Sequence, residues 1–302
     1  MEYEHVPVMT AEVMEYLKPG PGDVIVDLTV GGGGHAEPIL KAVGPAGRLV
    51  GIDKDPAALA ATARRLARYD EQLALVKTDF RKIRQTLRNL GIREVNGILM
   101  DLGVSSHQLD DGDRGFSYRQ DAPLDMRMDP EEKLTAADII RDYSRGELTT
   151  VIRKYGEERW ASRIAAFIVD RRQTRPITTT FELVDVIKAA IPAGARRRGP
   201  HPARRTFQAF RIEVNGELRA LKETLEEGIT QLKRGGRIVV ISYHSLEDRI
   251  VKTTFKEHSE ETAVDTGARL MLLTKRPIRP AEEETVANAR AESAKLRAAE
   301  KL

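Results

Sequence analysis

Up to Asp101, short apolar runs alternate with stretches whose apolar residues recur at helical spacing. The runs are rich in β-branched residues and are bounded by turn signals, which predicts buried strands at 24–28, 48–52, 73–77 and 97–100. The helical spacing predicts a helix in each connection and a further one at Thr10–Leu17, before the first strand. Such strict alternation predicts a parallel sheet covered by helices.

After Asp101 the pattern changes. Residues 102–125 are polar and turn-rich, and residues 131–192 show the spacing of several short helices. Beyond a basic loop the pattern predicts a long helix over 207–233, a fifth parallel strand at 237–242, a helix at 246–255 and a late strand at 269–274. The tail from Ala281 is expected to be a solvated helix or disordered.

These elements predict an α/β fold in which a doubly wound sheet is interrupted between strands 4 and 5 by an all-α insert. The sheet domain is expected to comprise residues 1–107 and 208–302, and the helical insert residues 108–207. Because the insert leaves the carboxyl end of strand 4, where open α/β sheets bind their ligands, it should overhang the ligand crevice.

The composition, 41% hydrophobic and 31% charged, fits a globular protein with a sizeable core. No apolar run is long enough to cross a bilayer and the N-terminus does not resemble a secretory signal, so we expect a cytoplasmic protein without a membrane partner. The chain has no cysteine, which excludes Cys-ligated metal and any thiolate nucleophile. No metal site is predicted.

Basic residues are concentrated in the middle of the chain. Residues 141–211 hold 16 Lys/Arg and seven Asp/Glu, a net charge of +9 in a chain of +3, so the remainder is acidic. This distribution predicts a polyanion partner for the insert. The candidate phosphate contacts are Arg196, Arg197, Arg198, Arg204 and Arg205, together with Arg171, Arg172 and Arg175.

A strand, a run of four glycines and a helix, over residues 24–43, form the first half of a nucleotide-binding unit. Asp53, at the end of strand 2, could bind the ribose of either NAD or S-adenosylmethionine. The glycine run lacks the G-x-G-x-x-G spacing of dinucleotide sites, and Asp27 would repel a pyrophosphate but attract a cationic amino-acid group. Asp-x-x-x-Gly-x-Gly from Asp27, with Asp79-Phe80 for the adenine, favours a class I methyltransferase that uses S-adenosylmethionine.

Several longer motifs resemble one family. They are HVPV from His5, GGH at Gly33–His35, DLGVSSHQLD from Asp101, RGFSY and PLDMRMD within 114–129, HPARRTFQAFRIEVNGEL from His201 and SYHSLEDR from Ser242. The family is RsmH, also called MraW, whose members transfer methyl from S-adenosylmethionine to the N4 amine of a cytosine in the decoding region of bacterial 16S ribosomal RNA. The resemblance spans roughly residues 5–280.

The resemblance implies 16S ribosomal RNA as partner, within the small subunit or its precursor, and no DNA. It implies cofactor contacts at Gly33, Gly34, His35, Asp53, Phe80, Asp101 and Gln108. From the glycine run itself we expect a bulky residue at Gly33 to abolish cofactor binding and leave the fold largely intact.

The absence of cysteine agrees with an amine target, because methylation of pyrimidine C5 usually needs a thiolate. Asp101, at the end of strand 4, is the candidate acceptor for the amine hydrogens, although the Pro-Pro-aromatic residues of amine-directed DNA methyltransferases do not follow it. His244 is the second catalytic candidate, and His107 a further one. Candidates for stacking on the base are Phe116, Tyr118 and Tyr243.

Other classes stay open from the residues alone. An NAD-dependent oxidoreductase would share the sheet, but Thr29 at the first fingerprint position and the basic insert disfavour it. A noncatalytic RNA-binding factor would retain the fold, but the three strand-end acids at Asp27, Asp53 and Asp101 disfavour it. A methyltransferase acting on DNA or protein is the remaining alternative.

Overall fold

The computed structural model describes residues 7–104, 112–196, 199–260 and 269–302. The chain divides into two compact units. The sheet unit comprises Met1–Ser105 and Leu218–Leu302, and the helical unit comprises Ser106–Glu217. The helical unit therefore extends past the expected boundary at 207/208, because the helix at Arg204–Asn215 packs on other helices of this unit.

A seven-stranded sheet forms the centre of the sheet unit. Its strands are β1 (Val24–Asp27), β2 (Arg48–Asp53), β3 (Leu73–Lys77), β4 (Val95–Asp101), β5 (Leu232–Ser242), β6 (Leu270–Leu272) and β7 (Lys295–Lys301). Their order is β3-β2-β1-β4-β5-β7-β6. Strands β1 to β5 pair in parallel, and β7 runs antiparallel to both of its neighbours. The predicted doubly wound α/β architecture is confirmed.

Helices cover both faces of this sheet. They are α1 (Thr10–Leu17), α2 (Ala36–Val43), α3 (Pro56–Arg65), α4 (Ile83–Asn89), α11 (Glu217–Gln231), α12 (Ser245–Ser259) and α13 (Glu282–Ala287). In β1 alternate side chains enter opposite cores: Ile25 packs with Leu40 on one face, and Val26 with Leu225 on the other. This two-sided burial explains the apolar runs of the sequence. None of the helices in the described ranges is long and apolar enough to cross a membrane.

The helical unit is built from the short helices that the spacing predicts. They are α5 (Ala136–Asp142), α6 (Arg145–Gly156), α7 (Ala161–Thr174), α8 (Thr180–Ala190), α9 (Ala193–Arg196) and α10 (Arg204–Asn215). Three of them begin with a capping box. In this motif a Ser or Thr hydroxyl accepts from the backbone N–H of an acidic residue three positions later, and the carboxylate of that residue accepts from the backbone N–H of the Ser or Thr. The pairs are Thr135 with Asp138, Ser144 with Glu147 and Thr179 with Glu182.

The long helix expected over 207–233 is two helices, so that prediction is wrong. Helix α10 ends at Asn215 and α11 begins at Glu217. Between them Gly216 has a φ of 61°, the left-handed conformation that commonly ends a helix. The apolar spacing continues through this break, so the sequence pattern gave no sign that a helix ends at Gly216.

The prediction for the tail from Ala281 holds for Glu282–Ala287, a helix without buried residues, but it is wrong for the rest of the tail, which enters the sheet. After α13, β7 lies between β5 and β6 and buries most of its side chains. Its Arg297 is only 8% exposed and donates from Nε to Asp248 Oδ1 at 2.6 Å. Pairing on both edges and this ion pair outweigh the weak strand propensity of an Ala, Glu and Lys-rich segment.

Candidate active site

The glycine turn between β1 and α2 is fixed by hydrogen bonds to its backbone. The N–H of Gly31 donates to Asp53 Oδ2 at 3.0 Å, and its carbonyl accepts from Thr62 Oγ1 at 2.5 Å. Gly31 and Gly33 have φ of 50° and 78°, a region that side chains disfavour. The turn is therefore held from β2 and α3 at the carboxyl end of the sheet.

Neighbouring glycines of this turn face different surroundings. A Cβ on Gly32 would meet nothing within 4 Å, whereas a Cβ on Gly33 would lie 3.1 Å from Thr62 Cγ2 and 3.2 Å from Leu66 Cδ1. Gly33 and Gly34 are buried. A side chain at Gly33 would strain the fold itself, which corrects the expectation of a selective effect there. Gly32 is the position where a ligand can approach the backbone.

The three strand-end acids come together at the switch point of the sheet, where ligands of such folds bind. Asp27 ends β1, Asp53 ends β2 and Asp101 ends β4, and β1 lies between the other two strands. Asp53 accepts from the N–H of Asp55 at 2.9 Å as well as from Gly31, and burial raises its pKa to about 6. It remains half-buried, which leaves an edge for a ribose hydroxyl.

Asp101 is held from three directions. Its Oδ1 accepts from the hydroxyl of Tyr243 at 2.8 Å, and its backbone N–H donates to Thr29 Oγ1 at 2.6 Å. Its Oδ2 lies 3.5 Å from His35 Nε2, and the side chain is 19% exposed. The carboxylate is thus fixed in orientation but still accessible.

Asp27 lies beneath this group and is 1% exposed. Its Oδ1 accepts from the N–H of Thr29 at 3.0 Å, and the Thr29 hydroxyl lies 3.3 Å away. Burial raises the pKa of Asp27 to about 6, against the opposing effect of His35. Since Thr29 also accepts from the Asp101 N–H, Asp27 acts on the site through Thr29 rather than by touching a ligand.

His35 carries the positive charge among these acids. Burial acts to lower its pKa, but the neighbouring carboxylate of Asp101, with that of Asp27 next, raises the pKa above its usual 6.5. Both ring nitrogens are buried and make no hydrogen bond within the described ranges, although Nε2 lies 3.5 Å from Asp101 Oδ2. An unpartnered nitrogen on the residue that directly follows the glycine turn fits a cofactor with an adenosyl and a charged amino-acid end.

Tyr243 is the residue whose role sequence reasoning missed. It was a stacking candidate, whereas the structure shows its hydroxyl bonded to Asp101, with burial and that carboxylate raising its pKa well above 10. Asp101 is paired with Ile241 across β4 and β5. A tyrosine just after the strand neighbouring Asp101 was the signal that could have indicated the contact.

The other residues predicted to contact the base have structural partners of their own. His244 caps α12: its Nδ1 accepts from the Glu247 N–H at 3.3 Å, and its Nε2 lies 3.2 Å from Glu247 Oε1. Tyr118 belongs to the helical unit, where its ring stacks on His201 at 4.5 Å. Phe116 is buried in the same unit. Within the sheet unit, Tyr243 is the predicted stacking residue whose side chain contacts Asp101.

Phe80 and Asp79 follow β3, as expected. Phe80 is half-buried against the core, and Asp79 accepts from Arg81 Nε at 3.0 Å, which helps to lower its pKa despite burial. Gln108 and His107 lie outside the described residues.

The predicted RNA contacts differ in their surroundings. Arg204 and Arg205 open α10, Arg196 ends α9, Arg172 donates to the carbonyl of Ile140, and Arg175 pairs with Glu182. Arg171 is exposed near the end of α7. Arg197 and Arg198 lie outside the described residues. All of these RNA contacts stay predictions.

Residues 2–302 match the MraW methylase family. Relatives from Heliobacterium modesticaldum and Geobacter sulfurreducens are 51% and 52% identical, each over the full length of both chains, and both are named "Ribosomal RNA small subunit methyltransferase H". These matches confirm the resemblance seen in the sequence and the prediction of an S-adenosylmethionine-dependent methyltransferase. The chain belongs to the MraW methylase family.

Proposed function

We propose that the chain methylates the exocyclic N4 amine of a cytosine in the decoding region of bacterial 16S ribosomal RNA, in the cytoplasm, on the small subunit or its precursor. The shared name of the relatives supports the RNA and the subunit. One observation carries the amine as target: an oriented, accessible carboxylate, Asp101, ends β4 in a chain that has no cysteine.

S-Adenosylmethionine supplies, when bound, a methyl group already activated on a sulfonium centre. The chain then has to bind, align and remove a proton. Gly32 leaves the backbone open to the ligand, Asp53 offers its carboxylate to the ribose, and His35 offers Nδ1. Gly33, Gly34, Phe80 and Gln108 remain proposed contacts on the strength of the family motifs.

Asp101 is the proposed acceptor. The lone pair of cytosine N4 is delocalised into the ring, and a carboxylate that accepts from the amine hydrogens localises it toward the methyl group. As the new N–C bond forms and the S–CH3 bond breaks, N4 loses one proton, which Asp101 is oriented to accept. Tyr243 holds the carboxylate in position, and Thr29 holds the backbone of Asp101. His244 is less suited, since both its ring nitrogens face Glu247 of its own helix.

The helical unit is proposed to supply affinity for RNA. Helix α10 begins with Arg204 and Arg205, and its N-cap Ala203 gives no side-chain hydrogen bond. Cations in the first turn oppose the helix dipole at a cost of about 0.3–1 kcal/mol each, which a phosphate would offset. Arg196 adds a further exposed cation nearby in sequence.

Transfer of tritium from labelled S-adenosylmethionine tests the proposal. Naked 16S RNA, small subunits and DNA are compared, and the labelled nucleoside is identified; we expect N4-methylcytidine from the RNA substrates. Asp101→Asn should lower kcat by about 10²–10⁴-fold, while Asp142→Asn, an exposed acid of the helical unit, should not. Label at cytosine C5, or only in protein, would refute the proposed reaction.

A further inference from the structure

We propose that the junction between α6 and α7 binds the phosphate backbone of the RNA through three cations that are held over aromatic rings. This inference rests on the proposed function and assigns it a second contact surface. The surface, called here the cation–ring surface, consists of Lys154 over Tyr155, Arg159 over Trp160 and Arg163 over Phe167, at 5.0, 5.3 and 5.4 Å from the ring centroids.

Many cations of the helical unit are already neutralised. Arg127 pairs with Asp125, Arg141 with Asp138 and Asp142, Arg175 with Glu182, and Arg211 with Glu217. These pairs reduce the field that a phosphate would meet. Within the described ranges, Lys154, Arg159 and Arg163 show no carboxylate within salt-bridge distance, and all three are exposed.

A ring orders a cation without consuming its hydrogen-bond donors. A guanidinium lying over an aromatic face uses its plane, so its N–H groups stay available at its edge. A salt bridge does the opposite, because the carboxylate takes those donors. The rings therefore place charge and free donors at the surface and reduce the entropy cost of ordering these side chains when a phosphate binds.

The three pairs lie on two helices that pack against each other. Trp160, Arg163 and Phe167 follow each other at spacings of three and four, which places them on one face of α7. Lys154 and Tyr155 lie at the end of α6, which packs on α7. All three pairs therefore belong to one helix–helix junction.

The cation–ring surface adjoins one of the arginines predicted to contact RNA. Arg205 Nη1 donates to the Glu157 carbonyl at 3.2 Å, and Gln208 Nε2 donates to the Tyr155 carbonyl at 2.9 Å. The start of α10 is thus in contact with the α6–α7 connection. Glu158, the residue after Glu157, is buried. Its Oε1 accepts from the Trp160 N–H at 2.9 Å, so this carboxylate caps α7 instead of facing the cations.

The test measures RNA binding by the full chain as a function of salt. Fluorescence anisotropy with a labelled single-stranded oligoribonucleotide is recorded for the double variant Arg159→Gln, Arg163→Gln. The salt slope is the slope of log binding constant against log salt concentration. Each cation that binds a phosphate of a single strand contributes about 0.7 to its magnitude, so the double variant should lower that magnitude by about 1.4. Each removed cation should weaken binding by about eightfold at 50 mM salt. Phe167→Leu, which removes a ring but no charge, should weaken binding by about twofold with the slope unchanged.

The matched control is the double variant Arg141→Gln, Arg219→Gln, which removes the same charge from two exposed arginines that already pair with carboxylates. It should leave the salt slope unchanged. The Arg159, Arg163 variant should raise KM for the RNA, leave kcat unchanged and keep normal calorimetric affinity for S-adenosylhomocysteine.

An unchanged slope in the Arg159, Arg163 variant, or an equal change in the control, would overturn the cation–ring surface. The cation–ring surface would also be overturned if the Arg159, Arg163 variant bound duplex DNA more weakly but bound RNA as the unchanged chain does. Methyl transfer to a site other than cytosine N4 would instead refute the proposed function, so the two failures are distinguishable.

Discussion

The Asp27→Asn substitution measures how much the buried carboxylate beneath the site lowers the free energy of unfolding. Asn keeps the Oδ1 acceptor for the N–H and hydroxyl of Thr29, so the substitution removes the charge and leaves these contacts. Burial raises the pKa of Asp27 from 3.8 to about 6. At about 1.4 kcal/mol per pKa unit, ionising it in the folded state costs about 3 kcal/mol.

The sign follows from proton binding. Between pH 3.8 and about 6 the folded chain holds a proton on Asp27 that the unfolded chain has released. This group therefore stabilises the fold fully below its unfolded pKa, and the contribution is lost as pH rises through the folded pKa. The charges of Asp101 and Asp27 also raise the pKa of His35 against the effect of its burial.

The assay is urea unfolding of both chains at about pH 4.5 and pH 6.5. Asn should become the more stable variant at the higher pH, and the difference in unfolding free energy between the chains should widen by about 2 kcal/mol between the two pH values. We also expect weaker calorimetric binding of S-adenosylmethionine, because a negative charge beneath a cationic ligand is gone. A difference that does not change with pH would refute the assignment of the raised pKa to Asp27.

Further outcomes follow from single contacts. Gly32→Leu should abolish calorimetric binding of S-adenosylhomocysteine with an unchanged melting temperature, whereas Gly33→Leu should also lower the melting temperature, because of its φ of 78° and its contacts with α3. Tyr243→Phe should reduce kcat about 10- to 100-fold while KM for RNA stays constant, since a charged hydrogen bond of about 1.5–3 kcal/mol is lost. Arg297→Leu should lower the free energy of unfolding in urea by about 2–3 kcal/mol, because Asp248 loses its main partner.

The sequence predicted the sheet well because burial on both faces leaves an apolar run at every parallel strand. It failed where tertiary pairing decides the structure. The segment of β7 carries Lys, Arg, Ala and Glu, residues common in helices, yet it is a strand because β5 and β6 offer open edges on both sides. The break at Gly216 was hidden because α10 and α11 continue one apolar spacing.

For the candidate site, the order and direction of the strands explained the positions of the functional residues better than their residue types did. Parallel strands end at one edge of the sheet, which is why the strand-end acids Asp27, Asp53 and Asp101 come together there. The bond between Tyr243 and Asp101 joins residues far apart in sequence and depends on the register of β4 and β5. His244 was not predicted as a cap because histidine is an uncommon N-cap, although Glu247 three residues later was the signal of a capping box.

The electrostatics of the site explain why a costly acid is retained. The raised pKa values of Asp27 and Asp53 show that the fold alone does not favour their charges, even though His35 offsets part of the cost at Asp27. A ligand that brings a positive sulfonium and amino group would favour the ionised carboxylates and recover part of that cost. A ligand of lower positive charge recovers less. The buried acids therefore lower the stability of the empty chain and, by the same interaction, favour the charged cofactor over its product, which lacks the sulfonium charge.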